Sequence, residues 1–312
     1  MLAASRSKRK PVKSSSKPPH SLWREIAKAR WPYLFIFPFY LSFFIFGLYS
    51  TIFSFYLSFT EWKGLGPIKL VGLKNYVSLF KDKVFIQSME NGFLLFFLYV
   101  PLMTFLALIL AVVLNSKRVR GFQFFRTIIF MPFIMNIAAA GFAFRLVLNQ
   151  KYGVVNNLLA GIFNIPPIPW LESIWGARVS LCLLIIWAWL GYNMVIMLAG
   201  LQTIPSELTE AAMIDGANPT QSFFYIIIPL MRPVILFSVV LSLMGSFGLF
   251  NEVFILTGGG PMNATLTPFV DIFNQAFANF RFGYASAMAY VYFVILFALT
   301  LIQVSYFGKR VD

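Results

Sequence analysis

The sequence predicts an all-α membrane protein with six transmembrane helices, and three observations carry that prediction. Charged residues make up only 12% of the 312-residue chain and hydrophobic ones 59%, with a mean hydropathy of +0.77. Soluble domains average about 25% charged residues, so a chain this poor in charge suits a lipid-facing surface rather than a water-facing one. Six stretches offer the roughly 20 apolar residues that a helix needs to cross a bilayer. Lys and Arg are unevenly divided between the segments that join those stretches, which is the pattern that orients a multi-pass protein.

The first stretch covers about residues 33–59. A basic segment precedes it, so a signal peptide has to be weighed. The apolar run is longer than the roughly 7–15 residues of a signal core, and no small-residue cleavage site follows, so it is read as a retained helix. The other stretches cover about residues 92–114, 124–148, 179–201, 234–256 and 284–307. With the N-terminus inside, sixteen Lys and Arg fall on inner segments: nine in the tail, then Lys117, Arg118, Arg120, Arg126, Arg232, Lys309 and Arg310. Eight fall outside: Lys63, Lys69, Lys74, Lys81, Lys83, Lys151, Arg178 and Arg281. Both termini are then cytoplasmic, and Arg145 is the one basic residue left inside a span. Residues 1–30 read as a disordered basic cytoplasmic tail lying against anionic headgroups, and 31–312 as one membrane domain.

The formal charge of +14 would suggest nucleic acid in a soluble protein. Here no basic stripe continues past the tail, and nucleic acid is not expected as a partner. The single cysteine, Cys182, lies in an apolar run and reads as a buried thiol. The single histidine, His20, lies in the tail, which leaves no His-based metal site or catalytic triad. No catalytic or metal-binding residues are expected, and no Walker-type Gly-Lys-Ser/Thr loop is present for ATP hydrolysis. Between the spans, residues 75–80 form an amphipathic piece, 149–177 carry Pro166-Pro167 and Pro169-Trp170, and Gly258-Gly259-Gly260-Pro261 should end the fifth helix sharply. No internal repeat is visible, and the glycosylation-type Asn263-Ala264-Thr265 is read as meaningless.

The loop at about residues 202–232, between spans four and five, does not look like a loop. Ser206 is a reasonable N-cap, and Glu207 and Glu210 suit the positive end of a helix that continues to Ile214. Gly216 supplies a left-handed stop. A second helical piece at about 219–228 then leads to Pro229 and Pro233. Glu207, Glu210 and Asp215 face only Arg232, against the positive-inside trend. An acidic helix with small residues at Ala211 and Ala212 fits docking to a basic partner. Spacing alone fits an ordinary well-capped connector equally.

The string from Glu210-Ala211-Ala212 through Asp215-Gly216-Ala217, Phe223, Ile226 and Pro229 resembles the Glu-Ala-Ala motif of binding-protein-dependent ABC importer permeases. Leu198-Ala199-Gly200-Leu201-Gln202 with Ile204-Pro205 is similar to the same family. Thr257-Gly258-Gly259-Gly260-Pro261 resembles its carbohydrate branch, of the maltose and glycerol-phosphate type. The resemblance covers roughly residues 30–310. It departs from the longest maltose permeases in lacking their large outer insert and extra N-terminal helices. It implies a type I importer permease fold in the bacterial inner membrane, with Glu207, Glu210, Ala211, Ala212, Asp215 and Gly216 in a coupling helix that docks on a cytoplasmic ATPase. It implies a second permease chain, an ATPase dimer that binds the ATP, an extracellular solute-binding protein and a sugar or polyol substrate. It also implies alternating access without bond chemistry, so the chain itself needs no cofactor and is no enzyme.

Polar residues inside a bilayer tend to face a cavity or another helix. Ser238, Ser242 and Ser246 recur every four residues on one helix face, which Leu249 extends. Small residues at this spacing also serve helix packing; Ser238 fits either role, and Ser242 and Ser246 are read as pathway. By resemblance the sugar contacts fall near Phe133 and Asn136, from Trp187 through Gly191, Tyr192 and Asn193 to Met194, and from Ser242 to Leu249. Trp187 and Trp189 lie about 200° apart, so both can hardly face one cavity. Arg145 and Glu252 fall at similar depth, each about one turn before the outer end of its span. They read either as an outer charge pair, with Glu252 off the serine face, or as two separate charges meeting headgroups and water. A secondary transporter would need ion-coupling carboxylates and usually a repeat; Glu252 is the one candidate. A membrane enzyme would need clustered His, Asp or Glu within the membrane, and none is present.

Overall fold

The computed structural model describes residues 30–116 and 121–308. The basic tail up to residue 29, Lys117, Arg118, Arg120, Lys309 and Arg310 lie outside the described residues. Among the described residues five helices are long and apolar enough to span a bilayer, and a bent pair of helices makes six where it is counted as one span. The chain is therefore an all-α membrane protein.

Among the described residues, those up to Phe53 form one compact unit and those from Ser54 onward another. In the first, helix α1 (Trp31–Ser58) begins and carries a π-helical turn at Phe43–Leu48. Phe35 and Phe46 are among its strongly exposed side chains, which suits hydrocarbon surroundings. The second unit opens with a small antiparallel hairpin, β1 (Thr60–Glu61) and β2 (Lys69–Leu70), with Thr60 opposite Leu70. A short helix, α2 (Lys74–Leu79), follows where the amphipathic piece was expected.

Helix α3 (Lys83–Asn115) is the axis of this unit. It starts nine residues before the apolar stretch predicts, because Asp82 caps it by accepting from the Val84 and Phe85 N–H groups. Hydropathy marks where a helix meets lipid, and a cap sets where it begins. The stretch expected as the third span is the bent pair α4 (Phe122–Ile134) and α5 (Ile137–Val147), 94° apart. Then come α6 (Val154–Phe163), a helix in a stretch read as loop, and α7 (Ile174–Leu201), capped by Ser173. Next are α8 (Ser206–Ile214) and α9 (Pro219–Phe247). The piece expected to stop near residue 228 runs on through Pro229 and Pro233, with a π-helical turn at Phe223–Ile227 just before the prolines.

The fifth stretch, expected as one helix to residue 256, instead breaks at Gly248. The chain restarts as α10 (Asn251–Leu256). A break at membrane depth frees backbone groups that lipid cannot satisfy. Here the Thr267 hydroxyl donates to the Leu249 carbonyl at 2.6 Å. Helix α11 (Pro268–Phe273) and α12 (Phe282–Gly308) complete the unit.

Lipid tails are as apolar as leucine, so these helices are held by close packing rather than by escape from water. Tyr99, Val100 and Met103 of α3 pack with Leu184 and Ile185 of α7 and with Val253 and Leu256 of α10. Further along α3, Ala107, Leu108 and Ala111 meet Met194, Met197 and Met231. Near its start, Phe85 and Met89 meet Phe247, Tyr284 and Met288. Gly191 lets α7 approach α4 so closely that a Cβ there would run into the Ile129 carbonyl.

Candidate functional site

Two places in the second unit bring sequence-predicted residues together. The first is a cavity of about 410 Å³ between α3, α4, α7, α9 and α10. Its existence depends on the two broken spans. The first break, at Met135–Asn136, ends α4 one residue after Phe133, which stands at the wall. The second, at Gly248, turns α10 so that Glu252 enters the same cavity as Ser242. A straight helix would have kept those two apart.

Phe133 stacks on Tyr192, with centroids 4.8 Å apart and planes 20° from parallel, and Trp189 meets both rings edge-on. Asn193 holds the wall together: its amide donates to the Trp189 carbonyl at 3.0 Å and its oxygen accepts from Ser238 at 2.6 Å. The Trp189 indole N–H donates to Glu252 Oε1 at 3.3 Å. Glu252 is only 6% exposed. A second cavity of about 430 Å³ adjoins the first and shares Phe133, Trp189, Gly248 and Glu252 with it. An apolar, aromatic hollow with a few placed polar groups is what a small-molecule site requires.

Of the predicted path residues, Phe133, Tyr192, Asn193, Ser242 and Leu249 line this cavity. Four others do not, each for a local reason. Asn136 is exposed and caps α5, accepting from the Ala138 and Ala139 N–H groups. Trp187 packs against Phe144 on another side of α7. Gly191 is consumed by the α4 contact. Ser246 is buried against the Tyr99 hydroxyl at 2.7 Å, so it belongs to helix packing. Tyr99 and Met103 line the cavity and went unpredicted; they lie in an unbroken apolar run that gives no such signal.

The proposed outer charge pair does not form. Helices α5 and α10 do pack together, with Ile255 against Gly141. Yet Glu252 is turned to Trp189, Arg145 is exposed, and no Arg145–Glu252 ion pair occurs among the described residues.

The second place is the loop at residues 202–218. Helix α8 begins at Ser206, with Pro205 rather than Ser206 at the cap position, and Glu207 in its first turn. Gly216 takes φ +86° and ends it, with the Ala217 N–H reaching back to the Ala212 carbonyl at 2.9 Å. Asn218 and Gln221 then form a reciprocal capping box that starts α9. Glu207, Glu210, Ala211, Asp215 and Gly216 are exposed and Ala212 is half-buried. Leu208, Met213 and Ile214 are exposed beside them, so the helix presents acidic and apolar groups together.

The opposite end of the unit is tied by polar contacts. Asn91 of α3 donates to the Asn263 and Leu266 carbonyls, and Arg178 of α7 donates to the Ala264 carbonyl. Tyr284 donates to Asp82 at 2.6 Å. Burial, reinforced by Asp82 nearby, pushes the Asp271 carboxyl up to about 6, against a smaller opposing hydrogen bond from Gln275.

Several spans with a cavity among them define a multi-pass membrane protein. The chain matches the family described as binding-protein-dependent transport system inner membrane component over residues 83–312, and it belongs to that family. It is accordingly a permease and not an enzyme. It is 38% identical to the probable ABC transporter permease protein YurN of Bacillus subtilis over 89% of this chain and 97% of that one. It is also 38% identical to the lactose transport system permease protein LacF of Rhizobium radiobacter, over 87% and 92%. A bacterial ABC transporter involved in import of the acidic polysaccharide alginate has the same fold, with a TM-score of 0.81 at 23% identity, over 93% of this chain and 99% of that one.

Proposed function

We propose that the chain is one of two permease subunits of an ATP-driven sugar importer. A solute-binding protein delivers a sugar or oligosaccharide to its outer face. The cavity bounded by Phe133, Trp189, Tyr192, Asn193 and Ser242 is its part of the path. The α8 end faces the cytoplasm, where an ATPase dimer binds the ATP. Closure of that dimer draws the coupling helices together and opens the cavity outward; hydrolysis resets it. The lactose permease among its relatives supports a carbohydrate substrate.

The single observation that carries this reading is helix α8. Its exposed carboxylates and apolar side chains, fixed between the Gly216 stop and the Asn218 capping box, form a rigid docking knob. Close charge pairs across interfaces couple by about 1.5–7 kcal/mol. Glu210→Lys should therefore abolish sugar uptake while the chain still inserts at normal levels. Wild-type uptake by that variant at equal expression would refute the coupling role. Co-purification of an ATPase subunit with the wild-type chain, and its loss in the variant, is the matching biochemical readout.

A further inference from the structure

We propose that Glu252 sets the charge class of the sugar that passes: neutral and amino sugars enter the cavity, and sugars bearing a carboxylate or sulfonate are refused. This rests on the sugar-path reading above.

Glu252 is the only charged residue on the walls of the two adjoining cavities, and neither wall carries Lys, Arg or His. It is more than nine-tenths buried. The other polar groups nearby are largely spent on one another: Asn193 on Ser238 and the Trp189 carbonyl, and Tyr99 on Ser246. Trp189 engages Glu252 Oε1, and no described residue bonds Oε2. A carboxylate with an open oxygen accepts hydrogen bonds from sugar hydroxyls and from an ammonium group. It has nothing to offer another anion. At a carboxylate this buried, charges interact more strongly than in bulk solvent. An anionic sugar brought against it meets repulsion that no wall cation offsets, and specificity of this kind comes from the penalty on the wrong ligand. The Phe133, Tyr192 and Trp189 rings on the wall supply apolar surface for the C–H face of a sugar, and an aromatic face also favours a cation.

The test reads occupancy of the cavity directly. Cys182 is the only cysteine, so Cys182→Ala combined with Ser242→Cys places one thiol on the cavity wall. The full chain, with the subunits that co-purify, is set in nanodiscs and labelled with a small uncharged maleimide. Cellobiose, its diamino glucosamine counterpart and digalacturonate are compared as protectants. Cellobiose and the amino disaccharide should slow labelling. Digalacturonate should need at least about tenfold higher concentration, a difference of about 1.4 kcal/mol. Adding Glu252→Gln should bring digalacturonate within about twofold of cellobiose, whereas Glu252→Asp, which keeps the charge, should retain the refusal. Equal protection by digalacturonate with Glu252 intact overturns the proposal and leaves the sugar path standing, as when a partner chain brings a cation to the site. Retained discrimination in Glu252→Gln overturns it too. Protection by none of the three sugars overturns the sugar path itself and the proposal with it.

Discussion

At Gly191 the backbones of α4 and α7 come so close that an added Cβ would meet the Ile129 carbonyl and the Phe130 Cα. Backbone atoms at a helix contact cannot swing aside as a side chain can, so Gly191→Ala must push the helices apart. Overpacking of this kind costs about 1–3 kcal/mol. A thermal-unfolding scan in detergent should show a lower midpoint for Gly191→Ala than for wild type; an unchanged midpoint would mean the helices have room. The same residue scale holds a titrating group. Asp271 ordinarily ionises near 3.8 and is pushed up to about 6 in the folded chain, mainly by burial. Its raised value means the folded state prefers the protonated acid. The stability it contributes is full below about pH 4 and is lost as pH rises through about 6. Asp271→Asn should remove that part of the pH dependence, so that the variant's unfolding midpoint falls less than wild type's between pH 4 and 7. Parallel midpoint curves for the two proteins would contradict this.

Among the elements, the six spans could be read from the sequence because hydropathy and length report on lipid contact. The Glu-Ala-Ala resemblance likewise marked the loop that became α8. The breaks could not be read in the same way. A window of apolar residues has the same mean whether or not its backbone is interrupted, so residues 124–148 and 234–256 looked like straight helices. The local signals were present in Pro132 followed by Asn136, and in Gly245 with Gly248, but each is tolerated inside other membrane helices. Helix periodicity carried past Gly248 put Glu252 off the serine face, and that placement lent support to a charge pair first suggested by the similar depth of Arg145 and Glu252. The Gly216 stop, by contrast, was readable, because a left-handed residue closing a capped acidic helix has a local signature. It also yields a prediction. A β-branched side chain at φ +86° is strained, by about 1–2 kcal/mol or more. Gly216→Val should misdirect α8 and lower uptake at unchanged membrane levels, and Gly216→Asn should be better tolerated. Equal uptake by both variants would show that the loop's docking does not depend on its stop.

At the scale of the whole second unit, one element joins the two candidate sites. Helix α9 starts at Pro219, two residues after the α8 loop closes, and reaches Phe247 as one helix that takes in a π-helical turn, Pro229 and Pro233. Ser242 on the cavity wall lies 23 residues along it from Pro219, about 35 Å at helical rise. A continuous helix carries displacement along its length, whereas a hinge absorbs it. If α8 is moved by the ATPase, α9 is the route by which the cavity moves with it. The expected consequence is that a thiol at Ser242→Cys reacts with a hydrophilic reagent at a rate that changes with nucleotide state, and that Ser246→Cys, buried against Tyr99, reacts slowly in every state. Phe237 is exposed near the middle of this route. Phe237→Pro adds a further interruption to those at Pro229 and Pro233, removing one more helical hydrogen bond at a cost of about 3 kcal/mol in a helix interior, which should turn the lever into a hinge. ATP hydrolysis by the assembled importer should then persist, while the nucleotide dependence of Ser242→Cys labelling and sugar uptake are both lost. If labelling still follows nucleotide state in the Phe237→Pro background, the motion reaches the cavity through α3 or α7 instead, and α9 is not the lever.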